Sequence, residues 1–119
     1  MQKVVISLQE NESFQVVLMT TASAEEAQKI AETLVAKRLA ACVNIVGGCK
    51  SIYRWQGKIC RDDEYLLIAK THGSRFEEFK TTVAKLHSYE VPEIISLRID
   101  AGADSYMAFL EDSLRIKGE

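Results

Sequence analysis

The chain has 119 residues, 47% of them hydrophobic, which suits one domain with one core and excludes a disordered chain. Its 15 basic and 17 acidic side chains leave a formal net charge of -2, without the basic surplus of a nucleic-acid binder. Three cysteines, Cys42, Cys49 and Cys60, contain no Cys-x-x-Cys pair, so neither a disulfide framework nor a zinc-finger pattern is present.

Residues 1–13 read as an N-terminal extension, with residues 14–119 as the single domain. Within the extension, Val4–Leu8 is apolar but too short for a signal-peptide core or a membrane span. It reads either as an extra edge strand or as part of a mobile tail, and the expected location is the cytoplasm. The cysteines are expected to be reduced and mostly buried.

Phe14–Met19 is a continuous apolar run and predicts a buried strand. Ser23-Ala-Glu-Glu26 has capping-box spacing, and Ala27, Ile30, Ala31, Leu34 and Val35 follow on one helical face. Lys37-Arg38 is placed in the last turn, where cations suit the helix dipole. Ala40–Val46 predicts the second strand, with Gly47-Gly48 as a bulge before β-type sequence resumes. Along Lys50–Trp55, Ser51, Tyr53 and Trp55 share a face. Gln56-Gly57 predicts a tight turn into a third strand reaching Lys70, with Asp62-Asp63 at a bulge. The resulting hairpin is longer than one small domain needs and predicts a partner subunit that covers it.

His72-Gly73 reads as a turn and Ser74-Arg-Phe-Glu77 as a second capping box. Phe76, Phe79, Val83 and Leu86 form the apolar face of the helix that follows. Pro92 stops that helix before Val91. Glu93–Ile99 predicts the fourth strand. A last helix is capped by Asp104, has Tyr106, Leu110 and Leu114 on its apolar side, and ends at Gly118. The fold class is therefore α+β, a ferredoxin-like βαββαβ sandwich with a C-terminal helix.

No phosphate loop, dinucleotide fingerprint, nucleophile elbow or His-Glu-x-x-His occurs. The densest polar cluster is Lys85–Glu93, carrying His87, Tyr89, Glu90 and Glu93 on a helix exit held by proline. Met19 and His87 are candidate metal ligands if the fold brings them to one edge. Cys42 or Cys60 with His87 is the one nucleophile-base pairing available, and a thiol in an apolar strand is usually inert. No catalytic residue is assigned and the chain is not read as an enzyme. The Ser51-Tyr53-Trp55 face suits an interface or an aromatic platform.

These stretches together resemble the CutA1 family of divalent-cation tolerance proteins. The matching segments are Ala36–Ile45, Tyr53–Lys58, Glu64–Thr71, His87–Ile94 and Asp104–Tyr106, within about Phe14–Leu114. The resemblance implies a homotrimer whose long hairpins pair between subunits. It also implies a shape similar to that of the PII signalling proteins, which bind nucleotides in clefts between subunits. Lys70, His87, Tyr89 and Glu93, with Trp55 and Glu64, are implied to line the inter-subunit cleft. Copper or another divalent metal ion is the implied ligand, with no organic cofactor, nucleic acid or membrane partner. In copper-binding members a cysteine ends the first strand and a His-His pair precedes Pro-Tyr. Here those positions hold Met19, Leu86-His87 and Ser88, and a thioether suits a soft ion such as Cu(I). Phe109 stands where the family often has tryptophan. The alternative reading is a PII-like module that binds an anionic small molecule through Lys70 and Arg54 and reports to a protein partner.

Overall fold

The computed structural model describes residues 12–116, so Val4–Leu8 and Gly118 lie outside the described residues. The chain runs β1 (Phe14–Thr21), α1 (Ala24–Ala36), β2 (Cys42–Trp55), β3 (Lys58–His72), α2 (Phe76–Leu86), β4 (Ile94–Arg98) and α3 (Asp104–Leu114). A short 3-10 turn at Gly73–Arg75 precedes α2. The four strands make one antiparallel sheet in the order β2-β3-β1-β4, giving a mixed α+β fold.

The β period of two sorts each strand between the two faces of the sheet. Val17 and Met19 on β1 stand beside Ala69 and Leu67 on β3, and all four are fully buried. Against them pack Ala27, Ile30 and Leu34 of α1 with Phe79 and Val83 of α2. The opposite face carries Val16, Leu18, Leu66 and Ile68 with Ile95 and Leu97 of β4. Ile95 is 50% exposed and Leu97 54%, while Val16, Leu18, Leu66 and Ile68 are half-buried, so the β4 edge is the most open part of that face.

Helix α1 starts as the sequence indicates. Ser23 Oγ accepts from the Glu26 amide at 3.1 Å, and Glu26 reaches back to the Ala22 amide at 3.4 Å. The expectation for its end is corrected. Lys37 is the C-cap and Arg38 is left-handed, so the two cations lie past the last turn. Arg38 instead donates to the Ser113 carbonyl at the end of α3. The second capping box does not form, since the His72 ring takes that role. Its Nδ1 accepts from the Ser74 amide at 3.1 Å, and α2 begins later with no side-chain cap. Burial holds the pKa of His72 below the usual imidazole value. Asp104 is the first residue of α3, after an Ala103 N-cap, and the helix ends at Leu114 with Arg115 left-handed, before Gly118 is reached.

The bulge on β2 falls where the paired glycines stand. Register shifts between Val46 and Cys49, and Gly47 lets the Tyr65 ring of β3 approach within van der Waals range. Asp62 and Asp63 pair regularly with Ser51 and Lys50, so the irregularity belongs to β2 and not to β3 as expected. Beyond Cys49 and Glu64 the hairpin leaves the other strands and continues to Trp55 and Lys58, an arm of about 20 Å at ~3.3 Å per residue. The radius of gyration, 15.4 Å, exceeds the value of about 13 Å for a compact domain of this size. Gln56 and Gly57 both have positive φ, the two-residue turn that matches strand twist. Gly57→Val forces a branched side chain into that conformation, and urea unfolding should show a loss of about 1–2 kcal/mol.

Candidate functional site

The arm and the loop after α2 enclose a cavity of about 640 Å³. Its floor is the arm face carrying Ser51, Tyr53 and Trp55, with Asp62 and Glu64 across the ladder. Its wall is the Tyr89–Glu93 loop. That loop is held from below by His87, which is buried and whose Nε2 donates to the Thr20 carbonyl at 2.7 Å while Nδ1 accepts from the Tyr89 amide at 3.0 Å. Glu26 accepts from both the amide and the hydroxyl of Ser88, tying the loop to the start of α1.

Two phenols are anchored on two carboxylates. Tyr89 donates to Glu64 at 2.6 Å, and Tyr53 donates to Asp62. The bond to Asp62 pushes the Tyr53 pKa up to about 12. Burial, and then the bond to Glu64, pushes Tyr89 up as well. Both therefore hold their protons more tightly folded than at the unfolded value of about 10. Stability from these pairs is full below that value and is lost as pH rises from there through about 12. Ultraviolet absorbance titration should show these phenolates appearing late, and Tyr89→Phe should remove one late transition.

Of the residues implied to line the cleft, Trp55, Glu64, Tyr89 and Glu93 meet at this cavity. Lys70 does not: it sits beside Cys42 and donates to Asn44, at the other end of the sheet. Arg54 lies across from Ile59, off the cavity lining. Met19 is wholly inside the helix-facing core, and the one lone pair of the neutral His87 ring is already used by Tyr89. As arranged, the two do not form a ligand pair for an outside ion. Among the described residues, no three His, Cys, Asp or Glu side chains converge on a metal position. Cys42 lies at the Lys70 end and Cys60 faces Tyr53 on the arm, neither beside His87. All three thiols are half-buried rather than enclosed, because none lies on the core face beneath α1 and α2.

Tyr53 and Glu90, noted on the aromatic face and in the polar cluster, also line the cavity, and so does Asp62, which the sequence reading placed only at a bulge. The signal for Asp62 was present. A two-residue turn at Gln56-Gly57 fixes Trp55 opposite Lys58, and counting back places Ser51 opposite Asp62 on the Trp55 face.

The family model of the CutA1 divalent ion tolerance protein matches residues 15–113. The chain is 50% identical over 99 residues to the divalent-cation tolerance protein CutA of Thermus thermophilus, covering 83% of this chain and 96% of that protein. It is 45% identical to the chloroplastic protein CutA of Arabidopsis thaliana over 84% of this chain, but spans 55% of that longer protein. The solved structure of CutA1 from Oryza sativa superposes with a TM-score of 0.85 at 38% identity, covering 91% of this chain and 99% of that one. Among the described residues no helix is long and apolar enough to cross a membrane. With the matched region running from β1 to the end of α3, the chain belongs to the CutA1 divalent ion tolerance family.

Proposed function

We propose that this chain acts in divalent-cation tolerance as a homotrimer that binds cations weakly in the cleft between arm and loop. The observation that carries the reading is the charge of the cavity lining: four carboxylates, Asp62, Glu64, Glu90 and Glu93, against the single ammonium of Lys50. That ammonium is itself held by Asp63 at 2.7 Å. Such a surface attracts positive charge and repels anions. Because no ligand set converges among the described residues, the binding of copper or another divalent ion is weak. The trimer is supported by the exposed apolar residues of β4 and the projecting arm, surfaces that pairing with further copies of the chain would bury. An anionic ligand has no such support, since Lys70 and Arg54 lie off the cavity.

The test is calorimetric titration with Cu(II). Glu64→Gln keeps an oxygen for the Tyr89 hydroxyl while removing the charge. Saturable binding that weakens severalfold in Glu64→Gln is the expected result. Binding indifferent to Glu64 but lost in His87→Ala would move the site to the end of α2 and overturn this reading.

A further inference from the structure

His72 is the other of the two histidines, and the cleft makes no use of it. It closes β3 where the strand meets the Gly73–Arg75 turn, and it is buried. Both ring nitrogens are committed. Nε2 lies 3.0 Å from the Glu12 carbonyl, and a carbonyl only accepts, so Nε2 carries the proton. Nδ1 accepts from the Ser74 amide at 3.1 Å and is therefore bare. The neutral ring thus ties the entry of β1 to the entry of α2, with Phe14 against it in an edge contact at 4.8 Å. The next link is Arg75, whose guanidinium donates to the Leu114 carbonyl at 2.6 Å and so holds the end of α3. Its Nε is buried with no hydrogen-bond partner among the described residues.

A second proton on the ring belongs on Nδ1. The Ser74 hydroxyl, 2.8 Å from that nitrogen, can turn to accept the new N–H. The Ser74 amide cannot, because it only donates, and two N–H groups then point at each other. The new charge also faces Arg75 from the turn, while the Glu12 carboxylate before β1 offsets it. Burial outweighs the help from Glu12, and Arg75 adds to it, so the ring pKa is held below the ordinary 6.5. We propose that His72 is a proton-operated latch: neutral, it fixes the turn and through Arg75 the end of α3, and protonated it releases both. With the folded pKa lowered, the stabilisation is complete above about 6.5 and is lost as pH falls through the folded value. Acidification therefore loosens the seat of α3, whose Leu110 and Leu114 are fully buried but lie outside the core beneath α1 and α2.

The experiment measures amide hydrogen exchange of the full chain by NMR between about pH 8 and pH 5, and follows the His72 ring nitrogens in the same samples. Exchange is expressed as protection factors, which cancels its intrinsic pH dependence. Protection of the Ser74 amide should fall about tenfold as the ring titrates, the worth of one hydrogen bond. The Ile116 amide, which bonds to the Glu111 carbonyl at the end of α3, should lose protection with it. Amides of β1 and β3 beneath the helices should keep theirs. His72→Asn supplies an acceptor for the Ser74 amide that does not titrate, and the pH dependence should vanish in that variant. A ring still neutral at the acid end, a ring titration that leaves Ser74 unchanged, or the same pH dependence in His72→Asn would overturn the latch. Equal loss across the β1 and β3 amides would also overturn it, as global unfolding. Ser74 losing protection while Ile116 keeps it would overturn the coupling to α3.

Discussion

Replacing His87 with alanine is expected to cost about 2–4 kcal/mol of stability, read by urea unfolding at fixed protein concentration. The ring is buried and bridges two backbone groups on different elements, the Thr20 carbonyl of β1 and the Tyr89 amide of the loop. Alanine leaves both without their partner and opens a gap beneath Tyr89. The consequence reaches the cleft, because Tyr89 then no longer holds Glu64 in place. Cation affinity should therefore fall together with stability in this variant, whereas Glu64→Gln should lower affinity with stability nearly intact. A loss below about 0.5 kcal/mol in His87→Ala would mean that the ring is not a structural strut.

The second large effect is expected on assembly. Leu97→Asp places a charge on the edge strand of the outward sheet face, beside Val16 on the neighbouring strand. Burying a leucine there contributes about 1.5–3 kcal/mol per subunit, and the substitution replaces that gain with the desolvation of a carboxylate. The variant should run as a monomer of about 13.3 kDa, whereas the unaltered chain is expected to run as a trimer. The internal fold should survive, since the α1 and α2 side of the sheet is untouched. An unchanged oligomer in Leu97→Asp would place the subunit contact elsewhere on the molecule.

Local chemistry made much of this architecture legible from sequence. The capping box at Ser23 and Glu26, the positive-φ turn at Gln56-Gly57 and the glycine bulge on β2 each depend on residues adjacent in the chain. Where the reading failed, a distant or competing partner had won. The Ser74 hydroxyl is engaged by the His72 ring instead of capping α2. Arg38 answers the carbonyl of Ser113, far along the chain, instead of its own helix. Alternation in β4 was readable, but not which side of the sheet Ile95 and Leu97 would face. Their register against Leu18 and Val16 puts them away from the helices.

The candidate site divides in the same way. Trp55, Glu64, Tyr89 and Glu93 came from family resemblance, and the cavity gathers them. Met19 was attractive because it ends an apolar run, yet β alternation turns it into the core beside Leu67. His87 stood out as one of two histidines, and spacing alone gave no sign that both its nitrogens serve backbone groups. Lys70 was implied for a cleft between subunits; within one chain the long β3 strand separates it from Glu64 by six positions, about 20 Å of extended chain.

Trimer and cation cleft are tested together by native mass spectrometry of the unaltered chain equilibrated with Cu(II), beside Glu64→Gln. The expected species is about 40 kDa, three times 13.3 kDa, carrying up to one added ion per subunit, with occupancy reduced in Glu64→Gln. A monomer at 13.3 kDa, or a trimer whose bound copper is unaffected by Glu64→Gln, would contradict this expectation.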